Sequence, residues 1–166
     1  MTRLRVVSRR TTLRAGAGVA LSLFAASPAF SQKSAPESAK AKQIVAMVDE
    51  AAAIIESKGK SAFQEFRKND SEWQNGDTYL FAGDMQGTSL FNAAFPKLEG
   101  TDTTKLRDPN GKLIGMEIVI AARHGSGWVD YMWPKPGQSQ PSQKWSYVKA
   151  VKIDGELGYV GAGFYP

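Results

Sequence analysis

The amino-acid sequence predicts an α+β domain, one antiparallel sheet packed by helices. Three observations predict it. Apolar residues (Ile44, Met47, Val48, Ala51, Ile54, Ile55) recur at helical spacing between residues 34 and 58. After Asn75-Gly76-Asp77 the pattern changes to short strand-like runs separated by turn residues. Those runs follow one another as hairpins, which pair antiparallel.

Each element has its own signal. Ser34 and Glu37 have capping-box spacing and Pro36 fits a first turn, so a long helix is expected over 34–58, stopped by Gly59. Ser61 and Gln64 repeat that spacing before a short helix to about Lys68, with Phe63 and Phe66 inward. Thr78–Ala82 and Thr88–Asn92 read as a hairpin around Gly83-Asp84-Met85-Gln86-Gly87. Residues 93–111 form a loop containing Pro96, Gly100 and Asp108-Pro109-Asn110-Gly111. Leu113, Met116, Ile118, Val119 and Ala122 predict a third helix over 112–123, ended by Gly125. Trp128–Trp133 alternates as a strand, and Pro134 to Pro141 is loop. Lys144–Ile153 and Gly158–Tyr165 make a last hairpin around Asp154-Gly155.

Composition removes several function classes. The chain has 166 residues, one His and no Cys. Disulfides, thiolate catalysis, iron–sulfur clusters and cysteine-bound zinc are excluded, as is any metal site needing two His ligands. The formal net charge is +5, but it belongs to the start of the chain. Arg3, Arg5, Arg9, Arg10 and Arg14 precede the first acid, Glu37, and without residues 1–31 acids and bases are equal in number. A polyanion partner needs concentrated positive charge, so nucleic acid is not expected.

Residues 1–31 read as an export signal. The apolar stretch Ala15 to Ala26 spans about 18 Å as a helix, short of the roughly 30 Å hydrocarbon core. Ala29 and Ser31 fit the −3 and −1 positions of a cut before Gln32. Ser8-Arg9-Arg10-Thr11-Thr12-Leu13-Arg14 resembles the twin-arginine signal, with Thr12 at the usual Phe position; ordinary Sec export is the alternative. Either route leads to a bacterial periplasm. Residues 32–166 are then one domain, held by packing alone.

No catalytic residue, metal ligand or cofactor is expected. Counted from Asp108, the loop lacks Gly at position 6 of a calcium loop. Gly158-Tyr159-Val160-Gly161-Ala162-Gly163 lies in a terminal strand, not between strand and helix, so it is no dinucleotide fingerprint. Strand glycines instead let a ligand, a helix or a side chain approach the backbone. His124 has no nucleophile elbow to serve, and nothing singles out a carboxylate pair.

The aromatic and basic residues of the second half say more. Alternation puts Val129, Tyr131 and Trp133 on one face of their strand. On the next strand Trp145, Tyr147 and Lys149 share a face, with Lys144 and Ser146 at its opening, and Arg123 ends the third helix. Aromatic walls with one or two cations suit a small organic anion. An aromatic core with snorkelling basic residues at its rim is the alternative.

From about residue 43 to its end the chain resembles the single Cache domain, a bacterial extracytoplasmic sensor module. The motifs stand in family order: Tyr79-Leu80-Phe81-Ala82-Gly83-Asp84 with Gly87, Phe95-Pro96-Lys97-Leu98-Glu99-Gly100, Asp108-Pro109-Asn110-Gly111-Lys112, Gly125-Ser126-Gly127-Trp128-Val129-Asp130-Tyr131-Met132-Trp133-Pro134, Lys144-Trp145-Ser146-Tyr147-Val148 and Gly161-Ala162-Gly163-Phe164-Tyr165.

The resemblance implies a long N-terminal helix beside a PAS-like antiparallel sheet, with a ligand pocket between the sheet and its covering loop and helix. Its ligands are commonly short-chain carboxylates. By position, Tyr131, Trp133, Lys144 and Tyr147 are the pocket candidates, with Arg123 behind them. Alternation puts Lys144 and Tyr147 on opposite faces, so one of them is structural unless a bulge re-aims it. Asn92 stands where many members carry His. Members usually continue into a membrane helix and a signalling domain, whereas this sequence ends after its last strand. The expectation is a module acting through a membrane sensor kinase, chemoreceptor or transporter, the alternative being an accessory interaction module with no ligand pocket.

Overall fold

The computed structural model describes residues 33–68 and 71–166. The expected export signal lies outside the described residues. Helix α1, Ala39–Lys58, begins four residues later than Glu37-based capping would start it, because Ser38 is the cap. Ser38 is extended (φ −155°, ψ 157°), and its Oγ accepts the Ala41 N–H at 3.0 Å. Pro36 disfavours helical geometry at Ala35, so the Ser34–Glu37 box does not form. Ala41, Ile44, Val48, Ala51, Ala52 and Ile55 give α1 one buried face.

A single 3₁₀ turn, Gly59–Ser61, leads into α2, Ala62–Phe66. Phe63 and Phe66 are buried as expected, Phe63 stacking on Phe91 with ring centroids 4.9 Å apart. Six strands follow: β1 Gln74–Asn75, β2 Thr78–Asp84, β3 Ser89–Asn92, β4 Ser126–Pro134, β5 Pro141–Ile153 and β6 Glu156–Phe164. Helix α3, Ile114–Arg123, lies between β3 and β4. The strands pair antiparallel in the order β1-β2-β6-β5-β4, with β3 also on β2. This is the expected α+β architecture.

Several boundaries differ from the sequence reading. Strand β2 continues through Gly83 and Asp84, which pair with Tyr159 and Gly158. Strand β5 starts at Pro141, where a proline costs no ladder bond because it is the first residue. Helix α3 starts at Ile114 and not at 112, because Lys112 and Leu113 are committed to the loop: Asp108 N–H donates to Lys112 O, and Arg107 bridges Leu113. Strand β1 was not expected; two residues around a turn carry no periodicity.

The sheet has two unlike faces. Helix α1 packs on β5 and β6, and on that side Trp128 meets Tyr147 and Phe164 while Lys149 pairs with Asp49 of α1 at 2.7 Å. The other face is covered by residues 93–113 and α3. That cover is fastened to the outer edge of β4. Asp108 Oδ1 accepts the Asn110 and Lys112 N–H groups, and its Oδ2 accepts the Met132 N–H at 3.0 Å. Lys112 donates to Asp130 Oδ1 at 2.8 Å and to the Asp130 carbonyl. An otherwise open edge strand is thereby closed.

Candidate functional site

Under the cover, β2 and β4 place Tyr79, Phe81, Tyr131 and Trp133 around a hollow of about 50 Å³, closed above by Leu98, Leu106 and Ile114. Asn92, Ser89 and Thr103 add polar edges. About 10–15 Å³ of such space holds one water, so the hollow suits a molecule of only a few heavy atoms. The rings touch in series: Tyr79 to Phe95 at 5.7 Å, Phe95 to Trp133 at 5.5 Å and Trp133 to Tyr131 at 6.4 Å, all edge to face.

Lys144 lies against this wall. It faces Tyr131 across the β4–β5 ladder and is 1 % exposed. Its stem passes over Gly163 of β6, where a Cβ would stand 2.6 Å from Lys144 Cε. Lys144 Nζ then sits 3.8 Å from the centre of the Tyr79 ring, with Phe81 and Tyr165 each at 5.6 Å and Tyr131 at 6.0 Å. Among the described residues none of the ion pairs includes Lys144. A ring face is worth about 2 kcal/mol to a desolvated cation, but leaving water costs an ion several kcal/mol. Desolvation wins, and burial holds the Lys144 amine well below its usual range.

The tyrosines are kept neutral by the same dryness. Burial raises the Tyr79 and Tyr131 phenols and pushes Tyr159 and Tyr165 up to about 12. Tyr131 Oη shares a 2.9 Å hydrogen bond with Ser146 Oγ, so that hydroxyl is already engaged. Asn92 Oδ1 accepts the Phe95 N–H at 2.8 Å, which fixes the amide and leaves Nδ2 as its donor end.

Of the sequence-predicted residues, Tyr131 and Trp133 line the hollow and Lys144 lies against its rings. Two others stand apart. Tyr147 is on the α1 face, its ring 5.3 Å from Trp128; no bulge interrupts the β4–β5 register, so strict alternation separates it from Lys144. The Arg123 guanidinium donates to Met85 O at 2.9 Å, tying the end of α3 to the β2–β3 turn. Tyr79 and Phe81 stand in a family motif with no site role expected, and Asn92 stands where many members carry His. The signal for Tyr79 and Phe81 is alternation on β2, which puts them on one side.

A wider open dish of about 470 Å³ lies by Lys60, Asp84, Asp154 and Glu156. Carboxylates line it and no aromatic ring does, so it offers an anion little. Among the described residues no group of three or more His, Asp or Glu is arranged to hold a metal.

A sheet with a helix on one face and a loop-and-helix cover over a small hollow on the other defines an α+β domain with a covered binding-type hollow. The chain belongs to the Cache domain family, whose model matches residues 29–165. It is similar to the methyl-accepting chemotaxis protein McpP of Pseudomonas putida, 38% identical over 90 residues, which cover 54% of this chain and 16% of that protein. Similarity to the sensor histidine kinase MctS of Rhizobium johnstonii is 32% over 89 residues, 54% of this chain and 19% of the kinase. The chain thus matches less than a fifth of the length of either. Among solved structures, a periplasmic sensor domain of a chemotaxis protein superposes with TM-score 0.64 and 32% identity, over 75% of this chain and 93% of that one. A Cache chemosensory domain described as showing the structural basis of carboxylic acid recognition gives TM-score 0.65 and 29% identity, over 76% and 93%.

Proposed function

We propose that this protein is an exported, periplasmic sensing domain that binds a short organic acid in the hollow under its cover and passes the bound state to a membrane receptor, a chemoreceptor or a sensor kinase. Tyr131 and Trp133, with Tyr79, form the water-excluding wall, and Lys144 supplies the counter-charge. Coulomb attraction at short range is strong in so dry a place, so the ammonium need not enter the hollow to hold a carboxylate. Tyr147 and Arg123 take structural parts. One observation carries the reading: a buried lysine, without an ion-pair partner among the described residues, lies against the rings of a small hollow. The carboxylic acid recognition reported for a structural relative supports the ligand class, and the Arg-rich leader supports export.

Thermal unfolding with a panel of acetate, propionate, larger acids, amino acids and nucleobases tests it. A ligand of the folded state adds about 2.7 kcal/mol of stability at a hundredfold excess over Kd. A rise in Tm for the smallest acids, absent in Lys144→Met, is expected. No shift with any small acid would remove the proposal and favour the second reading, an accessory module whose hollow is collapsed. The small volume, about 50 Å³, is the observation on that side.

A further inference from the structure

The binding site proposed above holds an amine in an unusual place, and its protonation has a consequence for what the domain measures. Lys144 is 1 % exposed, and four aromatic rings lie within 6.0 Å of its Nζ. The groups facing it from each packed element are neutral at physiological pH. Strand β2 presents Tyr79 and Phe81, β4 presents Tyr131, and Tyr165 follows β6. Beyond Tyr165 stands the ion pair of Lys135 with Asp77, 2.8 Å apart. Lys135 lies 5.3 Å from the Tyr165 ring. Among the described residues no ion pair includes Lys144, and burial lowers its amine below the ordinary range. The stem of this side chain fills the space over Gly163.

From that geometry we infer that Lys144 couples anion capture to proton uptake: the ligand-free site holds it as the neutral amine, and a carboxylate in the hollow converts it to the ammonium. The inference rests on the acid-binding reading. The proton passes from a buffer acid in solution, which becomes its conjugate base, to the Lys144 Nζ lone pair as the carboxylate binds, and it returns to the buffer as the carboxylate leaves. A nearby anion favours the charged form of an amine for the same reason that isolation in a ring-lined site disfavours it. The occupied site is therefore neutral overall, a carboxylate beside an ammonium. The empty site is neutral too. The domain never has to hold an uncompensated charge, and its natural ligand is an organic acid together with its proton. A cell using it would respond to a given carboxylate more strongly in acidified surroundings.

The test is titration calorimetry of the wild-type protein with acetate and propionate, in buffer pairs of differing ionisation heat, from about pH 5.5 to about pH 9.5. The expected result is proton uptake approaching about one per anion over part of the range, with Kd rising about tenfold per pH unit there. Direct titration of the Lys144 side-chain nitrogen by NMR, with and without acetate, should show the ligand-bound form keeping its proton to higher pH. Binding with no proton uptake at any pH, or a nitrogen that titrates identically with and without acetate, would overturn the inference and leave acid binding standing. Failure of both anions to bind across the whole range would overturn both. No variant is needed, so failure to fold cannot obscure the answer.

Discussion

The stem of Lys144 occupies the space that Gly163 leaves by having no side chain. A Cβ there would stand 2.6 Å from Lys144 Cε, 2.5 Å from Ser146 Oγ and 2.6 Å from the Trp145 carbonyl oxygen. The oxygen is backbone and cannot yield. Gly163→Ala is therefore expected to cost about 1–3 kcal/mol through overpacking. It should also displace Lys144 and weaken acid binding. Thermal unfolding and acetate titration of the variant check the two effects; an unaltered Tm would show that the strand tolerates the side chain.

The two hydroxyls that face each other in the site allow a double-mutant cycle. Tyr131→Phe leaves Ser146 Oγ without its 2.9 Å partner in a buried place, as does Ser146→Ala for the phenol. Each single change should cost about 1–3 kcal/mol, while the double change is closer to neutral because no buried polar group is orphaned. Additive losses in Tm would mean that the hydrogen bond contributes nothing.

The α1 face gives a contrasting case. Tyr147→Ala removes a large ring packed against Trp128 and should cost about 2–4 kcal/mol. The affinity of the folded protein for acetate should be unchanged, since a whole strand thickness separates Tyr147 from the hollow. A lost affinity at a temperature where the variant is folded would put Tyr147 back in the site.

Much of this was legible in the sequence because it rests on periodicity. Alternation along 128–133 and 144–149 assigns the faces of Tyr131, Lys144 and Tyr147, and with them the conflict between Lys144 and Tyr147. What alternation cannot give is which face meets which layer. Lys144 reads as a rim residue on sequence grounds, since a lysine is almost never fully buried. Its burial depends on a glycine nineteen positions away on a neighbouring strand, a tertiary fact. The cover is a similar case. Asp108-Pro109-Asn110-Gly111 reads as a turn, and it is one, but the grip of Asp108 on the Met132 N–H joins residues distant in sequence. The helix start was misplaced for a local reason, two serines competing as caps with a proline between them.

The fastening of the cover should loosen in acid. Burial alone would raise the Asp130 carboxyl, but its hydrogen bonds and charge contacts with Lys112 and Lys33 more than offset this, lowering it from 3.8 to about 2. The folded value lies below the unfolded one, so the contact's stabilisation is complete above the unfolded value and fades as pH falls toward about 2. Asp108 behaves alike: burial raises its carboxyl, and the N–H groups of Met132, Lys112 and Asn110 lower it further than burial raises it. Amide exchange protection at Met132 and Lys112 should therefore drop in that acid range, before the β5–β6 ladder opens. Lys112→Met should shrink the part due to Asp130. Simultaneous loss of protection everywhere would show that the cover has no separate fastening.

Lys144 itself should destabilise the empty domain, with a pH dependence of opposite origin. Its folded value is depressed below the 10.5 of a free lysine. Above 10.5 the amine is neutral whether folded or not, and burying it carries no charge penalty. As pH falls below 10.5 the unfolded chain takes a proton that the folded chain refuses, and folding loses free energy. The loss stops growing once pH passes below the depressed folded value, where both states are charged. Replacing the buried amine by an apolar side chain of similar volume removes this linkage, since Met has no proton for the unfolded chain to take. Lys144→Met should therefore melt at a higher temperature than wild type near neutral pH, with the gap closing as pH rises toward 10.5. Saturating acetate should narrow the gap from the other side by stabilising only the wild type. Denaturant unfolding of both proteins across pH, with and without acetate, measures all of this. A Met variant less stable than wild type at every pH would mean that Lys144 holds the aromatic wall together, with its amine satisfied by the rings alone.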